Sequence, residues 1–91
     1  MVTVLVPGVL RGDAAGADRL DGAAEGSLGA VLDEIADRWP RLARRIRDEQ
    51  GQLRRYVNVY VDGEDCRRCG GLDAPVRRGS EVQLLPSIAG G

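Results

Sequence analysis

The sequence contains no histidine, no lysine and no phenylalanine, so that all thirteen basic residues are arginine. Without histidine the chain lacks the commonest general base near neutral pH, the usual catalytic triads and histidine-based metal sites. Without lysine it can form neither a Schiff base nor the lysine contact of a P-loop. Its two cysteines are too few for a structural zinc site, which needs four ligands. We therefore expect no catalysis by this chain alone and no bound metal.

Long apolar runs are also absent. No stretch approaches the roughly 18 residues of a membrane span, and the opening run lacks the basic residues of a signal peptide and is interrupted by Pro7-Gly8. The net charge of −1 creates no overall field that attracts nucleic acid or an anionic membrane. A chain of 91 residues has room for one domain with a modest core. We expect a cytoplasmic protein that binds neither membrane nor nucleic acid.

Alternating apolar residues indicate the strands of this domain. A short polar strand around 19–23 is expected to pair with the first strand. Asp62-Gly63 is typical of a type I′ hairpin turn, and it predicts a return strand over residues 64–67. The alternation itself predicts strands at residues 2–6, 57–61 and 81–85.

One helix dominates the rest of the pattern. Ser27 is a suitable N-cap, and Pro40 is expected to end the helix. Leu42 and Ile46 predict a further helical turn, whereas residues 8–18, rich in glycine, alanine and aspartate, predict a loop. The apolar stripe of the helix consists of Leu28, Val31, Leu32, Ile35, Ala36 and Trp39.

This order of elements predicts an α+β roll, in which a mixed sheet of four to five strands wraps around one main helix. The helix stripe and the alternating valines supply the two complementary apolar faces. The first and last strands are expected to lie together in the middle of the sheet. Residues after the last strand would then leave the sheet as a tail.

The C-terminal segment Pro86–Gly91 has the sequence PSIAGG, with no charged side chain and two terminal glycines. Because glycine has no Cβ, such a terminus can pass through a narrow channel and approach a ligand closely. We divide the chain into a folded domain at 1–86 and a flexible diglycine tail at 87–91. The alternative is a frayed terminus without a role.

Several segments together carry a family resemblance. They are RYVNVYV (Arg55–Val61), DGED (Asp62–Asp65), GL (Gly71–Leu72), GSEV (Gly79–Val82) and LPSIAGG (Leu85–Gly91). With these segments the sequence resembles the ubiquitin-like sulfur carrier proteins of the MoaD/ThiS family over essentially its whole length, and most of all the actinobacterial carriers associated with cysteine formation. Cys66, where an aliphatic residue is expected, departs from the pattern.

The resemblance implies a β-grasp (ubiquitin-like) fold and a role as protein cosubstrate. An E1-like enzyme would use ATP to adenylate the carboxylate of Gly91, and sulfur would displace AMP to give a thiocarboxylate. Residues Ile88, Ala89, Gly90 and Gly91 would enter the partner's active site, while this chain would bind no cofactor. The partners implied are the E1-like enzyme, a sulfur-accepting synthase and, where the C-terminus is processed, a protease.

The outer face of the sheet is the expected docking surface. If the alternating valines face the helix, Leu5, Tyr60 and Leu85 point outward and form an apolar patch, which is typical of a partner site. The alternative is a scatter of ordinary surface residues.

Cys66 and Cys69 have the spacing of a redox pair, and the neighbouring arginines could lower a thiol pKa. A single C-x-x-C without a second ligand pair is weak evidence. We favour Cys66 as a small core residue and Cys69 as a loop residue.

Other functions remain open at this point. Within the same family, the small subunit of molybdopterin synthase is the alternative to a carrier that serves cysteine or a sulfur-containing natural product. Residues 38–91 carry eleven arginines against seven acids, which could mark a basic partner surface or an ordinary solvated one. A β-grasp module that binds RNA through these arginines would leave the diglycine unexplained. A small metal or redox protein would have to rely on two cysteines.

Overall fold

The computed structural model describes residues 2–23 and 25–86, and within them the chain forms seven strands and two α-helices. The α-helices are α1 (Leu28–Arg38) and α2 (Pro40–Ile46), and three 3₁₀ helices span Gly8–Ala14, Cys66–Arg68 and Gly71–Asp73. The strands are β1 (Val2–Leu5), β2 (Arg19–Ala23), β3 (Gly26–Ser27), β4 (Val57–Val61), β5 (Glu64–Asp65), β6 (Pro75–Val76) and β7 (Glu81–Pro86).

Five of these strands form a mixed sheet in the order β2-β1-β7-β4-β5, while β3 and β6 pair separately. The first and last strands, β1 and β7, run parallel, with Val4 opposite Val82. All other neighbours in the sheet are antiparallel. The predicted mixed sheet with its first and last strands in the middle is confirmed.

The helix α1 begins where the sequence predicts. The side chain of Ser27 accepts a hydrogen bond of 3.1 Å from the backbone N–H of Ala30, which is the usual N-cap contact. The helix ends at Arg38, and Pro40 is the first residue of α2, where its missing N–H costs no hydrogen bond. Pro40 therefore ends one helix and begins the next.

The core lies between α1 and the inner face of the sheet. Side chains alternate across each strand, so that β4 shows buried, half-buried, buried, half-buried and buried residues in turn. Each buried valine, leucine or isoleucine contributes about 1.5–3 kcal/mol relative to an exposed one. The residues with no more than 1% of their surface exposed include Val2, Val4, Leu28, Val31, Leu32, Leu42, Ile46, Val59, Val82 and Leu84.

Two predicted elements differ from the structure. Residues 8–18 do not form a simple loop, because Gly8–Ala14 is a 3₁₀ helix that buries Leu10 and Ala14 against the core. The return strand predicted over 64–67 is limited to Glu64–Asp65. Its extension is replaced by a 3₁₀ helix, which the Asp65 carboxylate caps by accepting a hydrogen bond of 2.9 Å from the N–H of Arg67.

The Asp62-Gly63 turn has the predicted backbone. Both residues have positive φ angles, 52° and 84°, as a type I′ turn requires. The predicted division into a domain and a tail stays a prediction, because residues 87–91 lie outside the described residues.

Candidate functional site

The structure places the attachment point of the tail at the middle of one end of the sheet. β7 lies between β1 and β4, and Pro86, its last residue, pairs with Val57 at the start of β4. The predicted reactive residues Ile88, Ala89, Gly90 and Gly91 lie outside the described residues. The site can therefore be described from its attachment point on β7, which we call the tail root (Leu85 and Pro86).

The predicted docking residues share the outer face of the sheet. Leu5 and Tyr60 are half-buried and stand on either side of Gln83, with which both are in register. Leu85 is 37% exposed and lies opposite Asn58. Gln83 was not predicted as a site residue, although the alternation of β7 places it on this face between buried Val82 and Leu84. The patch is thus a mixed one, apolar at its sides and polar at its centre.

A groove runs along this face beside the tail root. Leu5, Gln83 and Leu85 line it from the sheet, and Arg11 and Asp18 line it from the segment that follows β1. The Arg11 side chain is fixed there, because its Nε donates a hydrogen bond of 3.1 Å to the backbone carbonyl of Val6. The groove therefore joins apolar, amide and charged groups next to the point where the tail begins.

Arg67 supports the other side of the tail root. Its guanidinium donates hydrogen bonds to Asn58 Oδ1 (3.1 Å), to the carbonyl of Val57 (3.2 Å) and to the carbonyl of Arg54 (3.4 Å). These contacts tie the 3₁₀ helix after β5 to the start of β4, the neighbour of the tail root. Sequence reasoning missed this role, because nothing in the local sequence indicates which carbonyl groups a side chain reaches from a distant turn.

The two cysteines are both free thiols. Cys66 is fully buried, and burial raises the pKa of its thiol above the ordinary value. Cys69 is half-buried, and desolvation, with a further contribution from Glu64, raises the pKa of its thiol as well. The Cys69 thiol donates to the carbonyl of Asp65 at 3.5 Å. A raised pKa disfavours the thiolate, so neither cysteine has the character of a reactive nucleophile.

The described residues contain neither a cluster of potential metal ligands nor a helix that could span a membrane. Among residues 2–23 and 25–86, no three histidine, cysteine, aspartate or glutamate side chains lie close enough together to hold a metal ion. In the same part of the chain no helix is both long enough and apolar enough to span a bilayer.

Comparison with known proteins identifies the family. The sequence matches the ThiS family over residues 4–91, which includes the terminal diglycine. The chain belongs to the ThiS family. It is 36% identical over 92 residues to the sulfur carrier protein CysO of Mycobacterium tuberculosis, which covers 99% of this chain and 98% of CysO. It is also 29% identical to small archaeal modifier protein 1 of Haloferax volcanii, over 80% of this chain and 79% of the archaeal protein.

Solved structures of ThiS-family relatives agree with this assignment. The crystal structure of M. tuberculosis CysO superimposes with a TM-score of 0.88 at 34% identity, covering 97% of this chain and all of CysO. A chain in the crystal structure of the BexX/CysO complex of Amycolatopsis orientalis gives a TM-score of 0.90 at 35% identity, with both chains covered completely. The predicted β-grasp fold and the resemblance to the CysO-type carriers are confirmed.

Proposed function

We propose that this chain is a ubiquitin-like sulfur carrier whose C-terminal Gly91 is adenylated by an E1-like enzyme and converted to a thiocarboxylate. The observation that carries the proposal is the match to CysO over nearly the whole of both chains, at 36% identity. The ThiS-family match extends through Gly91, so it includes the residue that the proposal makes reactive. The chain acts in this proposal as a protein cosubstrate and not as an enzyme.

The chemistry explains why a partner is needed. The α-carboxylate of Gly91 is ionised at neutral pH and is therefore a poor acyl donor. A carboxylate oxygen attacks the α-phosphorus of ATP, and pyrophosphate leaves to give the acyl adenylate. A sulfide equivalent then attacks the acyl carbon, and AMP leaves with the oxygen, so that Gly91 ends in a thiocarboxylate. This chain binds no cofactor in the proposal, because the activating enzyme holds the ATP.

The product is expected to pass to a second partner. A thiocarboxylate is a protected form of sulfide that a synthase can use to build cysteine or a sulfur-containing natural product. The complex of CysO with BexX in A. orientalis supports a second partner, because that carrier forms an assembly with another protein. The tail residues Ile88, Ala89 and Gly90 would lie in the active-site channel of each partner, and a C-terminal protease is a further expected partner.

The proposal is tested by loading the carrier in a purified system. The chain is incubated with the E1-like enzyme encoded in the same genome, ATP and sodium sulfide, and its intact mass is measured. Omission of ATP and omission of sulfide are the controls, because they separate thiocarboxylate formation from adenylation alone. The mass change of one oxygen-for-sulfur exchange should appear only in the complete mixture.

A further inference from the structure

The two ends of the central sheet carry different sets of charged residues. β7 advances from Glu81 to Pro86 by five residues, or about 16 Å at the usual rise of a strand. At its beginning the carboxylates of Asp62, Glu64 and Glu81 gather, since Asp62 Oδ1 accepts a hydrogen bond of 2.9 Å from the N–H of Glu81 and Glu64 follows in the same hairpin. Arg77 and Arg78 lie in the exposed turn just before Glu81, so the end of the sheet away from the tail carries charges of both signs.

The end that carries the tail root is basic. Arg11 lines the groove together with Leu85, and Arg67 donates to the carbonyl of Val57, the register partner of Pro86. Arg55 is exposed and lies two residues before Val57 along the chain. We call Arg11, Arg55 and Arg67 the basic rim.

The basic rim is not neutralised within the described part of the chain. Arg45 and Arg47 have carboxylate partners, Asp13 at 3.2 Å and Asp33 at 2.8 Å, whereas no carboxylate within residues 2–23 and 25–86 forms an ion pair with a basic-rim residue. Arg11 and Arg67 instead donate to uncharged carbonyl and amide oxygens, which hold the guanidinium groups in place. Asp18 lines the groove on the side of Arg11.

The surface around the tail root thus has the anatomy of a protein-docking site. Leu5, Tyr60 and Leu85 flank Gln83 on the sheet, and arginines lie at the edge of the patch, which matches the apolar contacts and charged rim of protein interfaces. A site for single-stranded RNA would need exposed aromatic side chains for base stacking. Among the described residues only Tyr56, which is 54% exposed, offers one.

We propose that the basic rim binds acidic side chains around the mouth of the channel through which the activating enzyme receives the tail. This inference rests on the proposed function. Opposite charges at the rim of an interface mainly accelerate association and orient the two partners, and their effect weakens as salt is added. Because the basic rim surrounds the tail root, this attraction would present the tail first.

The test compares two charge reversals of equal size at opposite ends of β7. The test variant carries Arg11→Glu and Arg55→Glu, and the control carries Arg77→Glu and Arg78→Glu, in the exposed turn before Glu81. Arg67 is left unchanged because its hydrogen bonds also join the 3₁₀ helix after β5 to the start of β4. The probe is the E1-like enzyme encoded in the same genome, with ATP and sulfide. The kcat/KM for thiocarboxylate formation is measured from about 50 to about 500 mM NaCl, over which the Debye length shortens several-fold.

If the basic rim binds the activating enzyme, the kcat/KM of the test variant should fall at least about tenfold at low salt and approach that of the wild type at high salt. The control should stay within about twofold of the wild type throughout, because its charges lie away from the tail root. Equal losses in both variants, or no loss in either, would overturn this proposal while the proposed function stands. A wild type that forms no thiocarboxylate would overturn both.

Two further measurements complete the test. Melting temperatures within a few degrees of the wild type establish that the variants fold, and a variant that fails to fold is replaced by Arg11→Gln and Arg55→Gln, for which a smaller salt-dependent loss is expected. Binding of wild-type protein to a single-stranded RNA oligonucleotide near physiological salt, lost in the test variant, would assign the basic rim to nucleic acid and contradict the proposal.

Discussion

Asp62 and Ser80 connect the β4–β5 turn to the start of the strand that bears the tail. Ser80 Oγ donates a hydrogen bond of 2.8 Å to Asp62 Oδ2, and it accepts one of 2.9 Å from the N–H of Arg77. The second oxygen of Asp62 accepts from the N–H of Glu81. Since Ser80 is 4% exposed, its hydroxyl depends on these partners, and Asp62 thereby fixes the beginning of β7.

The first prediction concerns this connection. Asp62→Ala removes both acceptors and places alanine at a φ of 52°, so we expect a loss of about 2 kcal/mol in the free energy of unfolding, measured by urea titration. Asp62→Asn is the matched control, because asparagine tolerates this backbone and keeps one acceptor oxygen. Asp62→Asn should lose less than half as much free energy of unfolding as Asp62→Ala. Equal stability of the two variants would contradict this role for the carboxylate.

The second prediction concerns the tail. Gly91→Ala adds one methyl group beside the reacting carboxylate, and we expect the rate of thiocarboxylate formation to fall at least about tenfold with an unchanged melting temperature, because a narrow channel accepts glycine for its lack of a Cβ. Ser87→Ala is the control, since it changes the tail without altering the diglycine. Normal loading of Gly91→Ala would show that the channel does not select glycine at this position.

The third prediction concerns the outer face of the sheet. Tyr60→Arg and Leu85→Arg each place a charge in the expected docking patch. We expect the affinity for the E1-like enzyme, measured by biolayer interferometry, to fall about tenfold. Gln83→Arg should act in the same way, because Gln83 lies between Leu5 and Tyr60 in the sheet. Glu64→Arg, at the end of the sheet away from the tail root, is the control. If folded Tyr60→Arg and Leu85→Arg variants bind normally, this face is not the docking surface.

The fourth prediction concerns the thiols. Burial raises the pKa of Cys66 above the ordinary thiol value, so the folded state holds this proton more tightly than the unfolded state does. The resulting stabilisation is complete below the pKa of the unfolded thiol and is lost as the pH rises through the folded-state pKa. As the pH rises through the folded-state pKa of Cys66, we expect the melting temperature of the wild type to fall by more than that of Cys66→Ala. Identical pH profiles would contradict the effect.

Alkylation provides an independent check of the same thiols. At pH 8 iodoacetamide should modify half-buried Cys69 before buried Cys66, and both more slowly than in urea-unfolded protein. Rapid modification of Cys66 in the folded state would contradict its place in the core. If the number of free thiols per chain does not change after mild oxidation, the two residues do not form a disulfide.

Much of the fold could be predicted from local patterns. The valine alternation of β4, the Ser27 cap and the positive φ angles of Asp62-Gly63 depend on neighbouring residues alone, and the structure confirms all three. The 3₁₀ helix at Gly8–Ala14 could not be predicted in this way. Its composition is that of a loop, and it is fixed only when Leu10 and Ala14 are buried by distant parts of the chain.

In the candidate site, too, some features follow from the local sequence and others depend on distant residues. The outward direction of Leu5, Tyr60 and Leu85 follows from alternation, whereas the place of Gln83 between two of them depends on strand order and register. The contacts of Arg67 depend on a turn nine residues from Asn58 in sequence. The role proposed for Gly91 depends on the family resemblance, since Gly91 lies outside the described residues.

The central claim is that Gly91 becomes a thiocarboxylate, and one measurement tests it most directly. After incubation with the E1-like enzyme, ATP and sulfide, the protein is cleaved with trypsin, which cuts after Arg78 and leaves Gly79–Gly91 as one peptide because no basic residue follows. We predict that tandem mass spectrometry finds one oxygen replaced by sulfur in this peptide, at Gly91. A peptide that remains unchanged in the complete mixture, or sulfur bound instead at Cys66 or Cys69, would contradict the account.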